Sequence, residues 1–463
     1  MDSLKVVSPF DQSFIEELKY ESSQVVEEKL ASAYAFYQLR EQWLAANDRR
    51  KLLIKFKELV KKHKEELIFI AAREGGKPIV DTRVEVERGI TGIEAAITHI
   101  PLMLGREIPM NLNESSAHRM AYTYREPIGV VFAISAFNHP VNLIIHQVIP
   151  AIATGCPVLI KPSTSTPISC LHLVKFLHEA GVPQAMVQTV LCKNEVAEQV
   201  VSDSRIAFLS FIGSSKVGWY LRSKLAPGAR CALEHGGAAP VIVEQDADLD
   251  SCLPSLLKGG FYHAGQVCVS VQRVFVHSKI IKSVSRKLAD KADKLHVGEP
   301  LDEKTDVGPL ISPKEVKRVD DWVQQAVTKG AKLLCGGKAL SETCYAPTVL
   351  LDPPQDVNVS QYEIFGPVVC LYSYKDRQQA IELANSLPLS FQAAVMTSDI
   401  NNALDCVKQL NATAVMVNDH TAFRVDWMPF GGRLQSGLGM GGIPESMDDL
   451  TFEKMMVIKS PVL

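Results

Sequence analysis

A chain of 463 residues exceeds the size at which one hydrophobic core usually keeps growing, so more than one domain is expected. Apolar residues make up 46% and charged residues 22%, an ordinary mixture for a soluble globular protein, and a net charge of −3 gives no broad attraction to nucleic acid or anionic membrane. The opening MDSLKVVSPFDQSF lacks a basic start followed by an apolar stretch, and the longest apolar segment, Ile128 to Phe137, is too short to span a bilayer. A soluble, cytoplasmic protein is expected.

The first hundred residues read as helices. Over Asn47 to Arg73, apolar Leu52, Leu53, Phe56, Leu59 and Val60 recur between lysines at near-helical spacing. From Gly129 the texture changes to short apolar runs: VVFAIS (130–135), PVLIK (157–161), IAFLSFIG (206–213), CALE (231–234) and PVIVE (240–244). Helical stretches such as Ile168–Ala180 and Ser215–Leu225 separate most of them. Apolar strands alternating with helices predict βαβ units and a parallel sheet covered on both faces. A second series follows: RVFVH (273–277), a helix near Lys314–Lys329, AVMTS (394–398) and AVMVN (414–418). Two α/β domains fit, joined tightly, since no Pro-, Gly- or Ser-rich linker intervenes. The ten cysteines form no CxxC pair and the twelve histidines show no HxH or HxxxH spacing, so no metal site is expected.

Open parallel sheets bind ligands at the carboxyl ends of their strands, so the residues after each run carry the functional reading. Gly213-Ser214-Ser215-Lys216-Val217-Gly218 opens a helix whose free N–H groups suit a phosphate, although a plain capped turn fits as well. Lys161 ends a buried strand, where it either meets a ribose or phosphate or is simply solvated. Asn138, in Phe137-Asn138-His139-Pro140, either donates to a developing oxyanion or forms a turn. Glu234, before His235-Gly236-Gly237, is either a buried base or an exposed turn residue.

In sequence order, F-N-H-P (137–140), K-P-S-T-S-T-P (161–167), F-I-G-S-S-K-V-G (211–218), E-H-G-G-A-A-P (234–240), G-Q-V-C (265–268), E-I-F-G-P-V (363–368) and P-F-G-G-R-L-Q-S-G-L-G (429–439) resemble the aldehyde dehydrogenase superfamily over essentially the whole chain. The resemblance implies an α/β fold with a Rossmann-like cofactor domain (1–108 and 128–236), an α/β catalytic domain (237–445) and a small β oligomerisation element (109–127 and 446–463). It implies Cys268 as nucleophile, Glu234 as the base that activates water, and Asn138 with the Cys268 N–H as oxyanion hole. NAD or NADP is the implied cofactor, held by Ser135, Phe137, Lys161, Thr164, Gly213, Ser214, Gly218, Glu363 and Phe365. A small aldehyde is the implied partner, with assembly as homodimer or homotetramer.

The sequence departs from the family pattern at three places. Gln147 stands where a lysine near the base is common, Met440-Gly441-Gly442 replaces R-E-x-G, and Thr164 stands where many NAD-preferring members carry glutamate. Thr164 has no charge to repel a 2′-phosphate, so NADP is expected to be accepted. Substrate expectations rest on His139, Asn142, His146 and Arg424, four polar side chains that would be costly to desolvate around an alkyl chain. They point to a short polar or anionic aldehyde of the semialdehyde, lactaldehyde or phosphonoacetaldehyde kind, unless Arg424 points outward or pairs with Asp426. A CoA-acylating relative, which usually lacks the glutamate, and a non-catalytic binding protein on the same fold are the alternatives.

Overall fold

A computed structural model describes residues 2–463. Two parallel sheets organise it. The first contains six strands in the spatial order Gly437–Leu438, Arg230–Glu234, Ile206–Ile212, Val130–Ile134, Val158–Lys161 and Val187–Thr189, parallel except for the first. From Val130–Ile134 the chain moves outward through two strands on one side, then returns to place Ile206–Ile212 on the other. That reversal opens a crevice beyond the ends of these two strands, where ligands bind in such sheets. Apolar clusters cover both faces, one around Phe56, Ile93, Ile149 and Leu173, the other around Leu30, Phe132, Leu209 and Val201.

The second sheet has seven strands in the order Lys332–Cys335, Thr348–Leu351, Val368–Tyr374, Val271–His277, Ala239–Val243, Gln392–Met396 and Ala414–Val417, antiparallel only at Lys332–Cys335. A third sheet of three strands pairs Glu107–Ile108 with Arg119–Pro127 and the latter with Thr451–Lys459. Among the described residues no helix is long and apolar enough to cross a membrane.

Three details differ from the sequence expectations. Ser3–Val7 and Phe14–Lys19 form an antiparallel hairpin rather than helix; each is too short to establish a period. The helix expected over Asn47–Arg73 is two, Ala46–Lys62 and Lys64–Gly75, interrupted at His63. Gly437–Leu438 falls within the segment assigned to the catalytic domain and the helix Ile443–Asp449 spans that segment's boundary with the oligomerisation element, yet the strand joins the first sheet and the helix packs on its helices Ile79–His99 and Asn142–Thr154.

Candidate active site

A cavity of about 810 Å³ lies at the crevice of the first sheet and is walled on its other side by residues that accompany the second. Ser135, Phe137, Asn138, Gly213, Ser214, Glu234, Cys268, Glu363, Phe365, His139, Asn142 and Arg424 all line it. Lys161, Thr164, Gly218 and His146 do not. Lys161 is buried at its strand end, Thr164 is exposed in the following turn, and Gly218 faces the His235 ring so closely that a Cβ would lie 2.0 Å from Nε2. Gly218 is thus packed against that ring rather than among the residues that line the cavity.

The sheet brings the two halves of the chemistry together. Glu234 ends its strand opposite Gly437, and its backbone carbonyl accepts from the Gly213 N–H at 3.0 Å. Burial raises the Glu234 carboxyl above the ordinary glutamate value, with Arg424 opposing. Gly441 makes room for this carboxylate: a Cβ there would come within 2.4 Å of Oε1. That is the local consequence of Met440-Gly441-Gly442 in place of the family pattern.

Cys268 follows a strained loop in which His263 and Ala264 take positive φ (49° and 55°), and its carbonyl accepts from Gly237 at 3.1 Å. Enclosure pushes the Cys268 thiol up to about 12, Glu363 adds to the shift, and Arg424 acts against it. All ten cysteines are unpaired.

Asn138 sits in the turn between the strand Val130–Ile134 and the fully buried helix Asn142–Thr154. Its Nδ2 donates to the Gln266 carbonyl at 2.9 Å, which fixes the amide plane beside Cys268 and leaves a second N–H. Gln266 is itself held, donating to Pro309 and accepting from the Ile311 N–H.

Sequence reasoning missed the supports beneath this turn. Glu85, fully buried, accepts from the Val141 and Asn142 N–H groups at 2.8 and 3.0 Å, capping a helix that has no side-chain cap of its own. Lys77 pairs with Glu85 and donates to the Asn138 carbonyl at 3.2 Å. Glu74 does the same for the helix after the Lys161 turn, accepting from Ile168 and Ser169 N–H groups at 2.8 Å each. Burial pushes its carboxyl to about 7. The signal was present as charged residues among apolar ones, Glu74 and Glu85 on helices and Lys77 in the short loop between them. Gln147 donates to the Ile134 carbonyl and to both oxygens of Ser210 at 3.0–3.2 Å, so it ties two strands together.

Arg424 turns inward. Its guanidinium lies 3.6 Å from the Phe430 ring centroid, and Nη2 donates to His146 Nδ1 at 3.2 Å. His146 in turn donates from Nε2 to Asp426 Oδ1 at 2.7 Å, and burial holds the ring neutral with its pKa at about 4. The same Asp426 oxygen accepts from Arg88 at 2.8 Å and Asn142 at 3.1 Å. His146 therefore stands behind the cavity wall and orients Arg424.

The dinucleotide half of the cavity fits NAD or NADP on the structure's own terms. Ser135 and Glu363 line it, and Ser135 Oγ and Glu363 Oε1 are buried and have no hydrogen-bond partner among the described residues. Unpaired buried polar atoms are costly, and a ribose or amide would satisfy them. Phe137 and Phe365 meet edge to face at 5.9 Å beside them.

The family profile described as "Aldehyde dehydrogenase family" matches residues 1–456. The chain is 37% identical to a 3-sulfolactaldehyde dehydrogenase of Priestia aryabhattai over 89% of this chain and 86% of the relative. It is 36% identical to a lactaldehyde dehydrogenase of Methanocaldococcus jannaschii over 99% and 97%. Among solved structures it resembles an aldehyde dehydrogenase of Physcomitrella patens in complex with the reaction product succinate, with TM-score 0.95, 33% identity and 99% and 95% of the two chains covered. A glyceraldehyde-3-phosphate dehydrogenase of M. jannaschii complexed with NADP gives TM-score 0.94 and 35% identity over 99% and 100%. The chain belongs to the aldehyde dehydrogenase family.

Proposed function

We propose that this protein oxidises a short anionic aldehyde to its carboxylic acid with NAD or NADP, through a Cys268 thioester hydrolysed by water that Glu234 activates. The carrying observation is that Cys268, Glu234, Asn138 and the inward-turned Arg424 line one cavity.

Cys268 gives its thiol proton to Glu234, which releases it to solvent, as the sulfur adds to the carbonyl carbon, and the resulting alkoxide takes the free Asn138 N–H and the Cys268 backbone N–H. A preorganised donor of this kind is worth about 2.7–4 kcal/mol in the transition state. A nicotinamide held beside Glu363 and Phe365 would supply the acceptor for the hydride that leaves the carbon of that adduct. Glu234 takes a proton from the water that attacks the remaining thioester. The carbon–sulfur bond breaks, the acid leaves, and the Cys268 sulfur is regained. The presence of Glu234 favours water over CoA as acyl acceptor.

Arg424 is the group we assign to the substrate's anion, by a charge-assisted contact. The carboxylate product in the Physcomitrella structure and the sulfonate named for the Priestia relative agree with that assignment. We further assign the sheet containing Thr451–Lys459, with exposed Met455, Met456 and Val457, to contact between copies of the chain. The unpaired cysteines support a reducing compartment such as the cytoplasm. Arg424→Met tests the substrate reading. It should lower kcat/KM about 10- to 150-fold for an anionic aldehyde and leave propanal nearly unchanged. Equal losses on both substrates would remove Arg424 from the role.

A further inference from the structure

We infer that Glu74 is a positioning residue for the dinucleotide: from across the fold it caps the helix that follows the Lys161–Thr166 turn, and so sets how firmly that turn holds the adenosine half. This rests on the turn belonging to the cofactor site, and it is independent of which aldehyde is oxidised.

The turn is fixed at two ends. Lys161 closes the strand Val158–Lys161, and its carbonyl accepts from the Ser135 N–H at 3.0 Å. Within the turn the Ser163 carbonyl accepts from the Thr166 N–H at 3.2 Å, and Ser163 lines the same cavity as Ser135 and Ser214. The far end runs into the helix Pro167–Glu179, whose N-cap residue, Thr166, makes no side-chain cap bond. The first N–H groups of that helix would be left without acceptors. Glu74 supplies them, accepting from Ile168 and Ser169 at 2.8 Å each.

A carboxylate is costly where Glu74 stands. It is 1% exposed and lies in the last turn of the helix Lys64–Gly75, where the helix dipole disfavours negative charge. Its hydrogen bonds go to backbone N–H groups, not to a lysine or arginine that would neutralise it. Both reach the start of the other helix, so the gain that offsets the cost lies at the end of the turn.

The same stretch of chain supports the other half of the site. A Cβ on Gly75 would stand 3.6 Å from Thr166 Cγ2, 3.7 Å from the Phe137 carbonyl oxygen and 3.8 Å from Pro140 Cγ, so Gly75 is wedged between the two turns. Glu85 caps the helix after the Asn138 turn as Glu74 caps the helix after the Lys161 turn. Two buried carboxylates of like geometry thus serve different steps, Glu85 the oxyanion and Glu74 the dinucleotide. A group that only supports the fold would affect both steps alike.

The test uses Glu74→Gln in the whole protein. The amide keeps the side chain's size but accepts from only one of the two N–H groups, and it strands no cation. Titration calorimetry with ADP-ribose, which carries the adenosine half without nicotinamide, should show about fivefold weaker binding, the worth of one typical cap. KM for NAD or NADP should rise by the same factor, while kcat with propanal at saturating cofactor changes less than twofold. Glu74→Asp, whose carboxylate falls a methylene short of both N–H groups, should give the same split and serves if the amide variant folds poorly. Glu85→Gln should instead lower kcat and leave ADP-ribose binding unchanged; the same pattern in the Glu74 and Glu85 variants would overturn the inference. Lys161→Met checks the turn itself. If it weakens ADP-ribose and neither Glu74 variant does, the inference about Glu74 alone is overturned. If it too leaves ADP-ribose binding unchanged, the turn is no cofactor contact, and both readings fall.

Discussion

Lys77 offers the sharpest separation of scaffold from chemistry. In Lys77→Met the Glu85 carboxylate keeps its two backbone donors at 2.8 and 3.0 Å but loses its cation in a site with no solvent. Breaking a buried pair from one side costs about 3–5 kcal/mol. The Asn138 carbonyl also loses its donor at 3.2 Å, and Asn138 carries the amide assigned to the oxyanion. Displacing a reacting geometry by about 1 Å costs on the order of 10²-fold, so kcat should fall about 10- to 100-fold while KM for aldehyde and cofactor changes little. Lys77→Met with Glu85→Gln supplies the control. The glutamine retains an acceptor for the Val141 and Asn142 N–H groups without a buried charge, so urea unfolding should recover most of the lost stability. Turnover should stay low, because the Asn138 carbonyl still lacks its ammonium. Steady-state kinetics and urea titration on the same preparations read both quantities. If kcat recovers in step with stability, the pair is merely structural and the reasoning is wrong.

Three further outcomes follow from the site. Glu234→Gln should give one burst of reduced cofactor, about one per active site, then turnover slowed about 10²–10⁴-fold with an acyl adduct on Cys268 seen by mass spectrometry; unchanged turnover removes Glu234 as base. Because enclosure raises the Cys268 thiol to about 12, alkylation of the ligand-free protein by iodoacetamide should keep accelerating well above the ordinary thiol range of about 8.5. A plateau near neutral pH would show a thiolate already formed, which is what a nucleophile with a depressed pKa would give. Thr164→Glu should lower kcat/KM for NADP much more than for NAD, since it sets a carboxylate in the turn after Lys161; equal effects on both cofactors would place the 2′-phosphate elsewhere.

The parallel sheets were legible in the sequence because buried parallel strands are nearly continuous apolar runs, and Val130–Ile134, Val158–Lys161, Ile206–Ile212 and Ala239–Val243 lie within a residue or two of the runs that signal them. The residues after their ends were legible as candidates for a related reason, since ligands bind beyond strand ends, but Asn138 and Glu234 were singled out from turn residues only by the resemblance to the aldehyde dehydrogenase superfamily. Supports that come from far along the chain were not. Glu85 precedes Asn142 by 57 residues and Asp426 lies 280 residues from His146, and no local pattern announces that these pairs meet. The same limit misplaced His146. The family resemblance put it on the substrate side with Asn142, but the approach of Asp426 and Arg424 turns it into the link between them. That displacement matters chemically. A histidine facing the substrate could carry a proton or a charge, whereas one locked between a donor and a carboxylate can only orient. The side chain that His146 orients, Arg424, is the one that lines the cavity.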